Sequence, residues 1–328
     1  MMKKESWTKN FFTKPTVTWI CVILGLFFLI MAAYLMGLVT SFYQNIMVTI
    51  GINMILAVGL NLVVGYAGQF SLGHAGFMAI GAYVGAILSS QIPGPIGFYA
   101  GMAAGAVLAA IVALIVGVPT LRLKGDYLAI ATLGASEIIR IIIQNLEITN
   151  GAAGISGIPM NVTWITLFIF IVLTTLLIVN YIHSSPGRAT IAVRENEIAA
   201  ESVGVKTTKY KIIAFVIGAI TASIAGTLYA GYFSVINPSQ FTFQRSIDVL
   251  IIVVFGGIGS VTGSFVAAIA LGLLNSVLAP LGQLRMVVYG VAIIAIMVFK
   301  PSGLMGDFEL QFSKLFNRKK KDSDKEEA

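Results

Sequence analysis

The sequence has 328 residues, of which 57% are apolar and 11% are charged. A soluble domain carries roughly 25% charged residues, so this composition excludes a soluble globular fold and indicates a protein whose solvent is lipid. The net charge of +7 does not indicate nucleic-acid binding, because the basic residues lie in short runs beside apolar segments without interleaved aromatic residues. The single cysteine, Cys21, excludes an intrachain disulfide and a cysteine-based metal site.

About ten apolar segments follow one another along the chain, separated by Gly, Pro, Asn and charged residues. Many of them approach the roughly 20 residues that a helix needs to cross a bilayer. The predicted fold class is therefore an all-α polytopic membrane protein with about ten transmembrane helices, some of them short or broken. The predicted spans are 17–39, 42–64, 76–92, 95–118, 127–146, 162–183, 212–234, 246–258, 261–279 and 284–299.

The Lys and Arg residues are concentrated in alternate connections between these spans. Segments 1–16, 119–126, 184–211 and 300–328 hold eighteen of the 21. Because cytoplasmic flanks carry such an excess, both termini are predicted to be cytoplasmic. The predicted organisation is a basic cytoplasmic N-terminus over 1–16, a transmembrane domain over 17–300 with a cytoplasmic loop at 184–211, and a charged cytoplasmic tail over 301–328.

Two glycine-rich stretches, 65–76 and 256–264, interrupt the apolar segments, one in each half of the chain. Transporters place discontinuous helices at corresponding positions of their two halves, where freed backbone groups line a cavity. Alternatively, these glycines permit tight turns or close helix packing. The glycines predicted to break helices are Gly65, Gly68, Gly73, Gly76, Gly256, Gly257, Gly259 and Gly263.

Two pairs of ionisable residues fall within predicted spans, where charge is costly and either pairs or lines a path. Glu137 and Arg140 share a helix face near the middle of their span, so they form a structural ion pair or line the solute path. Arg245 and Asp248 repeat the spacing at the outer end of a span, where water screens them. Glu137, Arg140 and Asp248 are therefore candidates for the path, with a structural role as the alternative.

Asn61, Gln69 and His74 place polar groups around the first glycine-rich stretch, for the path or for packing. The sequence has no G-x-x-x-x-G-K-[ST] phosphate loop, so the chain is not expected to hydrolyse ATP by that route. His74 and His183 are far apart and lack a metal-spaced partner, and no Ser/His or paired-carboxylate signature occurs. We expect no catalytic residue, no metal site and no cofactor in this chain.

The loop 184–211 contains a predicted amphipathic helix, roughly 188–203, which Gly204 ends. A compact helix of this kind can dock in the groove of a partner protein, and the alternative is a solvated connection. Its polar face is formed by Arg194, Glu197 and Glu201.

Four stretches of the sequence match the pattern of a known family. They are 59–75 (GLNLVVGYAGQFSLGHA), 121–127 (LRLKGDY) continuing to 137–140 (EIIR), the loop 149–159, and 194–200 (RENEIAA) with Gly204. On these stretches the chain resembles bacterial branched-chain amino acid ABC permeases of the LivM type, and the resemblance covers nearly all of residues 40–300. The sequence departs from the pattern at Ser264, where many relatives have Pro, and at Asp248, where relatives often have Glu.

The resemblance implies a multi-pass subunit of the bacterial cytoplasmic (inner) membrane, in contact with membrane lipid and not with nucleic acid. It implies a sister permease subunit, two cytoplasmic ABC ATPase subunits that bind ATP and Mg²⁺, and an extracytoplasmic solute-binding protein. The solute would be a branched-chain or similar amino acid, with urea or amides as the alternative within the family. The residues implied to couple to the ATPases are Arg188, Arg194, Glu195, Asn196, Glu197, Glu201 and Gly204.

Two other functions remain open from the residues alone. The first is a secondary transporter driven by an ion gradient, with Glu137 as the proton or sodium site. The second is a membrane scaffold or receptor that moves no solute. Uptake by the purified chain alone favours the first, whereas unchanged solute flux after deletion favours the second.

Overall fold

A computed structural model describes residues 40–123 and 125–278, together with single positions between 282 and 304. Several predicted features lie outside the described residues. They are the N-terminus 1–16, the span 17–39, most of the span 284–299, and the tail 301–328 apart from Gly303 and Leu304.

Contacts within the chain divide it into two units, residues 46–307 and residues 1–45 with 308–328. Of the second unit, residues 40–45 are described, and they contain the start of the first helix. The fold below is that of the first unit.

Helices make up most of the described chain. A π-helical turn at Leu62–Tyr66, three short 3₁₀ turns (Glu147–Thr149, Gly151–Ala153 and Pro238–Phe241) and one small antiparallel β pair complete the structure. The β pair joins β1 (Ile155–Ser156) to β2 (Val235–Ile236), with Ile155 opposite Ile236. The helices are α1 (Ser41–Asn61), α2 (His74–Gln91), α3 (Pro95–Thr120), α4 (Asp126–Asn145), α5 (Trp164–His183), α6 (Ser185–Glu195), α7 (Glu197–Ser202), α8 (Thr207–Phe233), α9 (Phe243–Gly256) and α10 (Val261–Val277).

Four helical segments of the described chain are long and apolar enough to cross a membrane. The pair α9 and α10 makes a fifth when it is counted as one span, and the two helices are bent by 119° at their break. The chain is therefore a multi-pass all-α membrane protein apart from its β pair. Helices also occupy the predicted segments 76–92 and 127–146, but the predicted count of ten spans is not confirmed. The four segments are Ser41–Tyr66, Pro95–Thr120, Trp164–His183 and Thr207–Phe233.

Glycines set how closely the central helices α2, α3 and α8 approach one another. A Cβ added to Gly81 on α2 would stand 2.5 Å from the carbonyl carbon of Ser223 on α8, so the two backbones are in contact there. On α3, a Cβ at Gly105 would stand 3.2 Å from the Cα of Gly81. Small residues allow such approach in a membrane, where packing rather than the hydrophobic effect drives helix association.

Both glycine-rich stretches interrupt helices. After α1 and its π-helical extension, the chain is not helical from 67 to 73, and Gly68 has φ +67°. Between α9 and α10, Gly257 and Gly259 have φ of +114° and +90°. An L side chain rarely adopts such φ values, so glycine is needed at these three positions. We call residues 67–73 the first break and 257–260 the second break.

The predicted single helix over 188–203 is corrected to two helices, α6 and α7, separated by Asn196. The backbone of Asn196 is extended, at φ −159° and ψ 107°, and its Oδ1 accepts a hydrogen bond from the amide of Ala199 at 3.0 Å. An Asn side chain that caps a helix in this way competes with a continuous helical backbone. The amphipathic pattern alone did not reveal this second helix start.

Candidate functional site

The two breaks meet in the structure, and Asn61 at the end of α1 joins them. Its Nδ2 donates to the carbonyl of Ser260 and to Oγ of Ser264, both at 2.8 Å. Its Oδ1 accepts from the amide of Gly259, also at 2.8 Å. Asn61 is completely buried, so these three bonds satisfy a polar group that would otherwise be costly to bury.

Glycine packing brings the backbones at this point close together. A Cβ added to Gly65 would stand 2.5 Å from the amide nitrogen and 2.9 Å from the Cα of Gly259. Within the second glycine-rich stretch, a Cβ at Gly256 would stand 2.5 Å from the carbonyl carbon of Gly263. Gly65 and Gly256 are therefore needed for close packing of the backbones. Close packing was the alternative to helix breaks that line a cavity. Of the other predicted glycines, a Cβ at Gly73 would crowd Thr132 on α4, and one at Gly76 would crowd Ser136.

Arg194, in the last turn of α6, reaches both breaks. A Cβ at Gly68 would stand 3.1 Å from its Cγ, and a Cβ at Gly259 would stand 3.1 Å from its Nη1. The Arg194 side chain is 37% exposed, and its Nε lies 3.7 Å from a carboxylate oxygen of Glu195. We call the meeting point of both breaks with Arg194 the break junction.

The other residues predicted to couple to ATPases contact the chain itself or face outward. Glu197 accepts from Nζ of Lys211 on α8 at 2.5 Å, and Glu201 accepts from Oγ1 of Thr207 at 2.7 Å. These contacts fix α7 against the start of α8. Of the rest, Glu195 is exposed, Asn196 caps α7, Gly204 has φ +85° after α7, and Arg188 donates to the carbonyl of His183 at 2.9 Å.

Glu137 and Arg140 form the ion pair that their spacing predicts, at 2.7 Å. Both side chains are partly buried, at 24% and 22% exposure. Arg140 also donates to Oε1 of Gln144 at 3.1 Å, and the other oxygen of Glu137 accepts from the amide of Phe243, the first residue of α9, at 3.0 Å. The pair therefore also anchors the start of α9, because a carboxylate is favourable at a helix N-terminus.

Asp248 lies on α9, one turn beyond Arg245, and hydrogen-bonds the side chain of Gln244. Arg245 donates from Nη2 to Oδ1 of Asn53 on α1 at 2.8 Å. Asp248 therefore lies near the start of α9, whereas the second break follows the end of this helix.

Gln69 and His74 carry buried polar atoms that have no partner among the described residues. Gln69 is 2% exposed, and neither Nε2 nor Oε1 of its side chain has a hydrogen bond. The ring of His74 hydrogen-bonds the backbone of Leu56, whereas its Nε2 is unpartnered. Such groups are uncommon in native structures, since each costs free energy unless water or a ligand satisfies it.

Several polar residues at the breaks were not predicted from the sequence. Ser260 and Ser264 bind Asn61, and Ser246 on α9 accepts from the amide of Ala75 at 2.9 Å. Thr132 on α4 accepts from the amide of Leu72 at 3.0 Å. Serine and threonine are common in membrane helices as packing residues, so only their partners distinguish these four.

Groups of three or more His, Cys, Asp or Glu that could hold a metal ion are absent from the described residues. The break junction is thus built from backbone groups, amides, hydroxyls and one guanidinium. Among the described residues it offers groups that can hydrogen-bond a polar solute, but no acid–base pair for chemistry.

The chain is similar to known transport proteins. Residues 42–297 match the family described as branched-chain amino acid transport system / permease component. The high-affinity branched-chain amino acid transport system permease proteins LivM of Salmonella typhimurium and of Escherichia coli are each 35% identical over 264 residues, which cover 70% of this chain and 62% of the relative. LivH of Escherichia coli is 30% identical over 152 residues, covering 46% of this chain and 48% of LivH.

The match therefore spans less than two thirds of the length of the LivM relatives. No solved structure matches the chain. These relatives are transport permease components and not enzymes, in agreement with the prediction from the sequence.

Proposed function

Because the chain belongs to the family of branched-chain amino acid transport permeases of the LivM type, we propose that it is the permease subunit of an ABC importer. With a sister permease subunit it forms the path for branched-chain or similar amino acids across the bacterial cytoplasmic membrane. Two separate ATPase subunits bind ATP and Mg²⁺ and drive the cycle, and an extracytoplasmic binding protein delivers the solute. Support for two different permeases comes from Escherichia coli, which has both a LivM and a LivH relative.

The observation that carries this proposal is the contact of Arg194 with both breaks. The segment of α6 and α7 has the basic flank of a cytoplasmic connection, where a cytoplasmic ATPase can reach it. Through Arg194 it contacts the two places where spans are interrupted. A displacement of this segment would therefore be transmitted directly to the interrupted helices.

The contacts also support ten spans with both termini in the cytoplasm. With that topology, the first break, the second break, the loop 184–211 and the start of the tail all lie on the cytoplasmic side. All four meet, because Arg194 contacts both breaks and the amide of Leu304 donates to the carbonyl of Phe255 at 2.7 Å. The connections of β1 and β2, which that topology places outside, pair with each other.

Ion-coupled transport at Glu137 is less well supported. Both carboxylate oxygens of Glu137 are engaged, one by Arg140 and one by the amide of Phe243. A carboxylate held in this way serves as a structural anchor. Permeation of urea or amides is compatible with the same contacts and stays open within the family.

The proposed function is tested by purifying the tagged full-length chain from its native membrane and identifying the proteins that accompany it. We expect one sister permease and two ABC ATPases in fixed ratio. Vesicles that contain this complex, with the binding protein on the outside, should then accumulate radiolabelled leucine only when ATP is supplied inside. Accumulation of leucine by the chain alone under a proton or sodium gradient would overturn the proposal.

Gln69 offers a test of the path. Replacing Gln69 with Leu removes two buried polar atoms without partners, so we expect equal or higher stability, by about 1 kcal/mol. If Gln69 supplies hydrogen bonds to the passing solute, the same variant should lose about tenfold in leucine uptake, since a hydrogen bond contributes about 0.5–1.5 kcal/mol and 1.4 kcal/mol corresponds to tenfold. Thermal unfolding and vesicle uptake measure the two effects.

The matched control is Gln91→Leu, an exposed glutamine at the end of α2, which should leave uptake unchanged. Normal uptake by the Gln69 variant would remove Gln69 from the path. A large loss of stability would instead assign Gln69 to packing.

A further inference from the structure

Three helices end at Arg194. The π-helical extension of α1 ends at Tyr66, α9 ends at Gly256, and α6 itself ends at Glu195. The stem of Arg194 packs at Gly68, two residues beyond the first of these ends, and its Nη1 lies at Gly259, three residues beyond the second. The stem of Arg194 therefore lies just beyond the end of the first of these helices, and its guanidinium lies just beyond the end of α9.

A cation is favourable at this place for an electrostatic reason. The last carbonyl groups of a helix give its C-terminus a partial negative charge of about half an elementary charge. A positive side chain near that end stabilises it, and the effect falls off within about one turn. Arg194 lies in the last turn of α6, and its side chain contacts positions two and three residues beyond the other two ends. Its ion pair with Glu195 is long and exposed.

Glu197 and Glu201 hold the segment in place through the start of α8. Glu197 binds Lys211, and Glu201 binds Thr207, so α7 is tied to the start of α8. Arg194 thus differs from the two acidic residues with which the sequence groups it.

We infer that Arg194 is a positioning residue that holds the C-terminal ends of both interrupted spans against the cytoplasmic segment, so that one displacement of this segment moves both breaks. The inference rests on the proposed function, because it assigns the step between a partner's movement and the path. It replaces a role for Arg194 as a contact for the ATPase.

The first experiment needs no partner. Amide hydrogen exchange is measured on the purified full-length chain with Arg194→Met, which keeps the stem and removes the charge, and with Arg194→Lys, which keeps the charge. We expect exchange in the Met variant to rise about tenfold at residues 67–69 and at 257–260 together, as both helix ends lose their cation. The Lys variant should recover at least half of this protection on a logarithmic scale.

The control Glu195→Gln changes the exposed neighbouring charge and should leave exchange at both breaks unchanged. Exchange that changes only within 185–204 would overturn the inference, as would a Lys variant no better protected than the Met variant. If Arg194→Met does not accumulate, Arg194→Gln supplies a neutral side chain with hydrogen-bonding capacity, judged by the same outcomes.

The second experiment uses the complex purified with its ATPases and measures leucine moved per ATP hydrolysed. In the Met variant we expect the ATPases to co-purify within twofold of the wild-type amount, while the coupling ratio falls at least tenfold and the Lys variant restores part of it. Loss of ATPase co-purification in proportion to transport would show a partner contact and overturn the inference. Absence of ATPases from the wild-type preparation would overturn the proposed function instead, and leave the exchange result standing.

Discussion

Asn61→Asp is expected to separate the two breaks and to have a large effect on stability. In place of the Nδ2 donor, the variant presents a carboxylate oxygen to the carbonyl of Ser260, which lies 2.8 Å from Nδ2. The site is completely buried, so neither the carboxylate nor the carbonyl of Ser260 can turn to water for a hydrogen bond. Each buried polar group left without a partner costs about 1–3 kcal/mol, so we expect a loss of about 3 kcal/mol and a drop in Tm of about 6–10 °C.

The loss should also be visible at the second break itself. The Asp side chain can still accept the amide of Gly259, so faster hydrogen exchange is expected at Ser260 and at the start of α10, where the two bonds from Nδ2 are lost. Leucine uptake by the assembled complex should be lost, since Asn61 then no longer holds the second break against the end of α1. Thermal unfolding in detergent and hydrogen exchange measure the structural effects independently of transport.

Asn145→Asp is the matched control, because it introduces the same charge at an exposed asparagine. Asn145 ends α4 and donates only to the carbonyl of Ile141 in its own helix. We expect a change of less than about 1 kcal/mol there, from the unfavourable placement of an anion at a helix C-terminus. Equal effects of the two variants would contradict the junction geometry.

Much of the helical framework could be predicted from the apolar segments and from the Gly, Pro, Asn and charged residues that separate them. The predicted span 95–118 is α3, and 162–183 is α5, within two residues at each end. The ion pair of Glu137 and Arg140 also follows from their spacing, since residues three apart on a helix face one another. These features depend on neighbours in the sequence, which is why the sequence reveals them.

The break junction could not be predicted in the same way, because its contacts join distant parts of the chain. Asn61 and Ser264 are separated by 203 positions, and Arg194 reaches Gly68 and Gly259 on either side of it in the sequence. A helical wheel placed Arg194 with Glu197 and Glu201 because it assumed one continuous helix. The hydrogen bond by which Asn196 caps α7 divides that helix. An Asn side chain can either accept a backbone amide in this way or leave the helix continuous, and the amphipathic pattern does not distinguish the two.

Gly81→Ala is expected to weaken the centre of the bundle. The added methyl would lie 2.5 Å from the carbonyl carbon and 2.6 Å from the Cα of Ser223, both backbone atoms of α8 that cannot rotate away. The reverse contact is also close, since a Cβ at Gly226 would stand 2.9 Å from the carbonyl carbon of Met78 on α2. The two helices must therefore move apart, and we expect a loss of about 3 kcal/mol, the upper end of typical overpacking costs. Thermal unfolding of the purified chain measures it.

Gly134→Ala is the matched control, because the same substitution is expected to shift the Tm in the opposite direction there. Gly134 lies inside α4, and a Cβ added there meets no atom within 4 Å among the described residues. Alanine is favoured over glycine in a helix interior by about 1 kcal/mol, so the same substitution should raise the Tm at Gly134 while it lowers the Tm at Gly81. Helix propensity alone would raise both. Opposite shifts therefore isolate the backbone contact of α2 with α8, and a rise at both positions would show that these helices are not in close contact.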